Sequence, residues 1–176
     1  MNIKKRNSCI FYVITVILLL SLDQFTKYLA SIYLKDGSSI IIIEDVFQLH
    51  YLENRGAGFG LLQGKWLWFV VCTLVLLTFM IIIYVRTPME KKYGWIRFVL
   101  VILTAGAVGN LIDRLRLNYV IDFFYFELID FPIFNVADIY VTCGIALLLI
   151  LILFYYKDAE LEALWPFRKK KGSSSS

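Results

Sequence analysis

Residues 66–85 read WLWFVVCTLVLLTFMIIIYV, an uncharged run bracketed by Lys65 and Arg86. Crossing the hydrocarbon core of a bilayer as a helix takes about 20 consecutive apolar residues, because lipid offers the backbone no hydrogen-bond partner. This run has that length. Three further apolar segments read the same way: Cys9 to about Tyr33, about Trp95 to Leu115, and Ile139 to Tyr156. The chain is 60% hydrophobic with a mean hydropathy of +0.72, well above the roughly 45–50% of soluble domains. The expectation is a membrane all-α protein of four transmembrane helices. Residues 1–171 are read as one domain, and 172–176 as a flexible tail or appended linker.

The N-terminal Lys4, Lys5 and Arg6 followed by an apolar run imitate a secretion signal. The run continues through Asp23 and Lys27 with no small-residue cleavage site, so it reads as a span. Between the first two spans, about residues 36–60, the chain is polar and glycine-bearing. The β-branched run Ile40 to Ile43 and the alternation through Phe47, Leu49 and Tyr51 predict two strands of a small sheet on the membrane surface. The sheet leads into Asn54-Arg55-Gly56-Ala57-Gly58-Phe59-Gly60, a loop whose glycines allow close backbone approach and whose motion over a substrate is a further expectation. Residues 116–134, rich in Phe and Tyr, read as a connection along the bilayer interface.

Charge sets the orientation. Lys4, Lys5, Arg6, Arg86, Lys91, Lys92, Arg97, Lys157 and the cluster Arg168 to Lys171 fall on one side, against Lys35, Arg55, Lys65, Arg114 and Arg116 on the other. The positive-inside rule puts both termini in the cytoplasm. Asp23 then lies about 21 Å along its helix from Cys9, in the outer half of the bilayer. Asn110, Asp113 and Arg114 end an outward-going helix, and Asp138 begins an inward-going one, so the polar residues converge near the outer face.

Several chemistries are excluded. The single histidine, His50, reads as an exposed strand residue and cannot build an H-E-x-x-H zinc site. Cys9, Cys72 and Cys143 lack C-x-x-C spacing and read as small core residues. No metal and no cofactor is expected. The net charge of +4 sits at segment ends rather than along one face, so no nucleic acid is expected either.

The remaining polar residues carry the function. Asp23 and Lys27 are four apart on one helix face, and Asn110, Asp113 and Arg114 share another. By this reading Lys27 balances Asp23 and Arg114 balances Asp113. Asp122 lies between Val120-Ile121 and Phe123-Phe124, where desolvation raises its pKa. Asp138, in a first helical turn that Asn135 could cap, meets a favourable dipole. Two carboxylates in differing environments form an acid and base pair able to hydrolyse a peptide through water. Asn54, Asn110 and Asn135 could orient a peptide and Arg114 could fix an oxygen, whereas Asp130 reads as an exposed loop residue. A non-enzymatic proton-coupled transport or assembly subunit could use the same charges.

Four blocks, Asp23-Gln24 with Lys27, Asn54 to Gly60, Gly106 to Asp122 and Phe131-Pro132-Ile133-Phe134-Asn135-Val136-Ala137-Asp138, together resemble the lipoprotein signal peptidases, or signal peptidase II. The resemblance implies an aspartic endopeptidase of the bacterial cytoplasmic membrane. Such an enzyme removes signal peptides from prolipoproteins, cutting before a diacylglyceryl-modified cysteine. It further implies Asp122 and Asp138 as the catalytic pair, with Asp23, Lys27, Asn54, Gly56, Asn110, Asp113, Arg114 and Asn135 as supporting or substrate-binding residues. The outer sheet resembles the family's β-cradle. The implied partners are the modified precursor, membrane lipids and globomycin-type inhibitors, and a monomer is expected. In the glycine loop the chain departs from the family pattern, with Ala57-Gly58 where two alanines are common.

Overall fold

The computed structural model describes residues 3–37, 39–56 and 66–164. Four helices carry the predicted spans: α1 (Ile3–Tyr33), α2 (Trp66–Arg86), α3 (Gly94–Leu117) and α4 (Val136–Ile150), the last continued by a π-helical turn over Leu151–Tyr155. Each is long and apolar enough to cross a membrane. A short helix α5 (Asp158–Leu164) follows. The glycine-loop residues 57–60 and the basic tail from 165 onward lie outside the described residues.

Helix α3 is the central post, packing against α1, α2 and α4. Its contact with α4 is made by glycines. A Cβ on Gly106 would lie 2.5 Å from the Ala137 carbonyl oxygen, and one on Gly144 would lie 2.7 Å from a Leu103 methyl. Such spacing lets two backbones approach where hydrocarbon surroundings supply no hydrophobic drive for helix association. At the end where α1 starts and the last span finishes, Tyr84, Tyr93, Val99, Leu151 and Tyr156 form an apolar cluster. Tyrosine hydroxyls are satisfied there: Tyr12 donates to Thr104 Oγ1 at 2.7 Å and Tyr156 to the Lys92 carbonyl at 2.7 Å. Outward faces remain apolar, with Leu18, Leu153 and Phe154 exposed to what would be lipid.

Both predicted strands form, as β1 (Ile40–Ile43) and β2 (Phe47–Asn54), paired antiparallel. A third, β3 (Val120–Tyr125), pairs antiparallel with β2 to complete the order β1-β2-β3. It lies in the segment read from sequence as an interfacial connection. Its aromatic run Phe123-Phe124-Tyr125 suits a strand as well as an interface, so composition could not separate the two. The chain reaches β3 quickly because α3 stops at Asn118, in the left-handed region at φ 64°, with its N–H on the Arg114 carbonyl at 3.1 Å. Asparagine tolerates that conformation better than most residues.

His50 lies exposed on β2, as expected. Of the three cysteines, Cys9 and Cys72 are partly covered, but Cys143 is exposed and lines a cavity, contrary to its reading as a core residue. Uncharged sequence marks a span but does not tell which face of the helix turns inward.

Candidate active site

Helices α3 and α4, strand β3 and the end of β2 surround a cavity of about 480 Å³. Asp122, Asp138, Asn54, Gly56, Asn110 and Arg114 all line it, joined by Pro132 and Phe134 of the segment before α4. Residues separated by 68 positions in sequence thus share one wall.

Three asparagines fix the two carboxylates. Asp122 Oδ1 accepts from Asn135 Nδ2 at 2.6 Å, and its Oδ2 accepts from Asn54 Nδ2 at 2.8 Å. Asp138 Oδ1 accepts from Asn110 Nδ2 at 2.8 Å, and its Oδ2 from the Asn135 backbone N–H at 3.1 Å. That last bond is half of a capping box, since Asn135 Oδ1 takes the Asp138 N–H at 3.0 Å. The geometry that starts α4 therefore also orients Asp138. Asn135 Nδ2 additionally donates to Asn110 Oδ1 at 3.1 Å, so one fully buried amide links the surroundings of both aspartates. All three asparagine amides are engaged with carboxylates in this structure. In the sequence reading these amides could orient a peptide, and no local spacing linked Asn54 to Asp122. Asn54 is itself fixed, its Oδ1 taking the Gly56 N–H at 3.0 Å.

A buried ionic cluster lies behind this layer. Lys27 Nζ sits 3.1 Å from Asp23 Oδ2, 2.9 Å from Asp113 Oδ2 and 2.9 Å from Asn110 Oδ1. The partner of Asp113 is thus Lys27 and not Arg114, correcting the sequence expectation. Neighbours at i and i+1 on a helix diverge by about 100°, so adjacency in sequence gave the wrong pairing. The Arg114 guanidinium instead lies 4.9 Å from the centre of the Phe69 ring and donates at 3.4 Å to the Asn110 carbonyl. Asp23 Oδ1 accepts the Ala137 N–H at 2.9 Å and Asp113 Oδ2 the Ile121 N–H at 3.3 Å. These bonds tie α1 to the start of α4 and α3 to β3. They set the positions of the elements that carry Asp138 and Asp122.

Sequence reasoning missed two contributors as site residues. Gln24 donates to Asp23 Oδ2 at 3.1 Å, to Asp113 Oδ1 at 3.1 Å and to the Gly109 carbonyl at 3.3 Å. Its long side chain wraps back to a face its backbone position does not share, which helical spacing could not reveal. Gly109 is the other. A Cβ there would lie 2.5 Å from Asp23 Oδ2 and 3.2 Å from the Ala137 Cβ. The pair Gly106 and Gly109 inside a span was the available signal. Gly109→Ala is expected to lower stability by about 1–3 kcal/mol through overpacking against a carboxylate that cannot retreat. Thermal unfolding of the detergent-solubilised protein checks this, and a melting temperature equal to that of the unsubstituted chain would refute it.

Asp130 is exposed and accepts from the Tyr125 hydroxyl at 2.8 Å, away from the cavity. Asp122 is almost wholly buried. Burial, reinforced by the charge of Asp138, pushes its carboxyl up to about 7. No cluster of His, Cys, Asp and Glu suited to a metal occurs among the described residues.

Four spanning helices and a mouth holding two carboxylates define a class, the multi-pass membrane enzymes of aspartic-peptidase type. Residues 15–154 match the family model described as signal peptidase (SPase) II. The chain belongs to the signal peptidase II family. It is 43% identical to the lipoprotein signal peptidase of Caldanaerobacter subterraneus subsp. tengcongensis over 81% of this chain and 95% of that protein. The enzyme of the same name from Clostridioides difficile is 43% identical over 82% and 95%, respectively. A bacterial membrane enzyme solved by the in meso method at 2.3 Å superposes with a TM-score of 0.75 at 29% identity, covering 84% of this chain and 92% of that one. The transport or assembly reading is accordingly not favoured.

Proposed function

We propose that this protein is an aspartic endopeptidase that removes signal peptides from diacylglyceryl-modified prolipoproteins, cutting before the modified cysteine, with Asp122 and Asp138 as the reacting pair. The observation that carries the reading is the two carboxylates held by Asn54, Asn110 and Asn135 around one cavity. Family membership supports the reaction class. The charge bias supports cytoplasmic termini and a site near the outer face. There the acyl chains can stay in the bilayer while the peptide bond enters the cavity. All the polar groups come from one chain, so a monomer suffices, and a globomycin-type cyclic peptide would compete for the same space.

In the mechanism, ionised Asp138 takes a proton from water as the water oxygen attacks the scissile carbonyl carbon. Protonated Asp122 donates a hydrogen bond to the carbonyl oxygen, where negative charge develops. Collapse of the tetrahedral species breaks the C–N bond, and the proton held by Asp138 passes to the leaving amine of the cysteine. Arg114, braced on Phe69, can hold a further substrate oxygen. The wall formed by Asn54, Asn110 and Asn135 keeps both carboxylates aimed without moving during the reaction.

The raised pKa of Asp122 gives a sign to the pH profile. The proton it must carry is present below about pH 7 and lost above it. Cleavage is expected to fall about tenfold per unit once pH rises through that value. Purified enzyme assayed on a diacylglyceryl-modified precursor between pH 5 and 9 measures this. A rate still rising at pH 9 would overturn the assignment of Asp122 as the acid, whereas failure to cleave the precursor at any pH would overturn the function itself.

A further inference from the structure

A second cavity, of about 350 Å³, lies between the C-terminal end of α1 and the sheet. Ala30 and Tyr33 of α1, Ile40 of β1, Leu49 of β2, and Phe123 and Phe124 of β3 form most of its wall. It shares no lining residue with the cavity that holds Asp122 and Asp138. Yet Phe123 and Phe124 directly follow Asp122, so β3 separates the two spaces.

The chemistry of its wall selects an occupant. Thr26 contributes a hydroxyl, already committed to the Asp23 carbonyl at 2.8 Å. Apart from Tyr33 at the rim, the other lining side chains carry no polar atom. Water needs two to four polar partners to settle, and an apolar space of this size tends to stay dry and to take up hydrocarbon. The rim says where the hydrocarbon comes from. Tyr33 and Ile40 are 66% and 44% exposed, and they continue the apolar face of α1 through Phe25, Tyr28 and Ile32. That face belongs to a membrane span, so the cavity opens onto the bilayer. A substrate chain tethered at the scissile cysteine would sit in the other cavity, on the far side of β3.

We propose that this cavity seats one acyl chain of a bilayer phospholipid, packed behind the strand that carries Asp122. The chain fills space beside Leu29, Leu49 and Phe124, which are only partly covered, and supplies contacts whose absence costs free energy in any core. It also ties the surface sheet to the membrane at the outer end of α1. This inference rests on the spans and not on the peptidase reading.

The test uses the full chain in nanodiscs of phosphatidylcholine and phosphatidylglycerol, doped with a phosphatidylcholine that carries a diazirine near the end of one acyl chain. After irradiation, mass spectrometry maps the adducts. Adducts should concentrate on Leu29, Leu49 and Phe124, the partly covered residues of the cavity wall, over Ile17 and Leu18, which face lipid on α1. Leu49→Trp and Leu29→Trp, made separately, each fill the space and should cut the cavity adducts by about tenfold while leaving those on Ile17 and Leu18 unchanged. Equal labelling of both regions in the unsubstituted chain would show ordinary surrounding lipid only and overturn the proposal. So would cavity adducts that persist undiminished in both tryptophan variants. The readout is a lipid adduct, so loss of precursor cleavage would leave it untouched, and the reverse also holds.

Discussion

Asp122→Asn and Asp138→Asn are each expected to lower cleavage of a diacylglyceryl-modified precursor by at least about a thousandfold, within the range that a positioned acid or base contributes. Each substitution keeps the side-chain shape and exchanges one acceptor oxygen for an amide. In Asp138→Asn the loss is of the base that takes the proton from water. In Asp122→Asn it is of the acid that meets the developing oxyanion. Folding should survive, because an asparagine can still accept from Asn135 in either place and an uncharged group is easier to bury than a carboxylate. The measurement pairs single-turnover cleavage with thermal unfolding. A variant that melts normally and processes precursor at even a tenth of the original rate would remove that aspartate from the mechanism.

Lys27→Met should be the most damaging substitution for stability. The ammonium is buried with two carboxylates, side-chain exposures being 2% for Lys27, 0% for Asp23 and 3% for Asp113. Removing the cation leaves two buried anions with no counterion, and breaking such a pair typically costs about 3–5 kcal/mol. The loss should propagate to function, since Lys27 Nζ holds Asn110 Oδ1 and Asn110 Nδ2 holds Asp138. Adding Asp113→Asn to Lys27→Met removes one of the stranded charges and should recover part of the lost stability. Cleavage should not recover with it, because Asn110 Oδ1 still lacks its bond from Lys27 and is left with that from Asn135 alone. Unfolding curves of the single and double variants decide the matter. A Lys27→Met protein that melts with the parent would mean that the cluster is ornamental.

These two expectations draw on different kinds of information. The carboxylates could be picked out in the linear chain because charges beside long apolar runs are costly and therefore rare. The Asp23–Lys27 contact was equally legible, being an i, i+4 pair on one helix. The partners of Asp113 and Asp122 were not. Lys27 reaches Asp113 across helices, and Asn54 reaches Asp122 across a strand pair whose second member was hidden in an aromatic connection. Gln24 was not read as a site residue for the same reason, two of its three bonds depending on α3 standing within reach of α1.

By itself the sequence determined the four spans, the two strands between the first pair, the capped start of α4 and the set of polar residues available for chemistry. Each of these follows from a local rule: the thickness of hydrocarbon, a period of two or of 3.6 residues, or a cap that satisfies its own first turn. Tertiary structure alone decided which amide holds which carboxylate, that Lys27 serves two aspartates, and that Gly109 must lack a side chain for Asp23 to reach the Ala137 N–H. The physical reason is range. A charge or hydrogen bond is indifferent to sequence separation, so its partner is fixed only once helix packing has set distances to within an ångström.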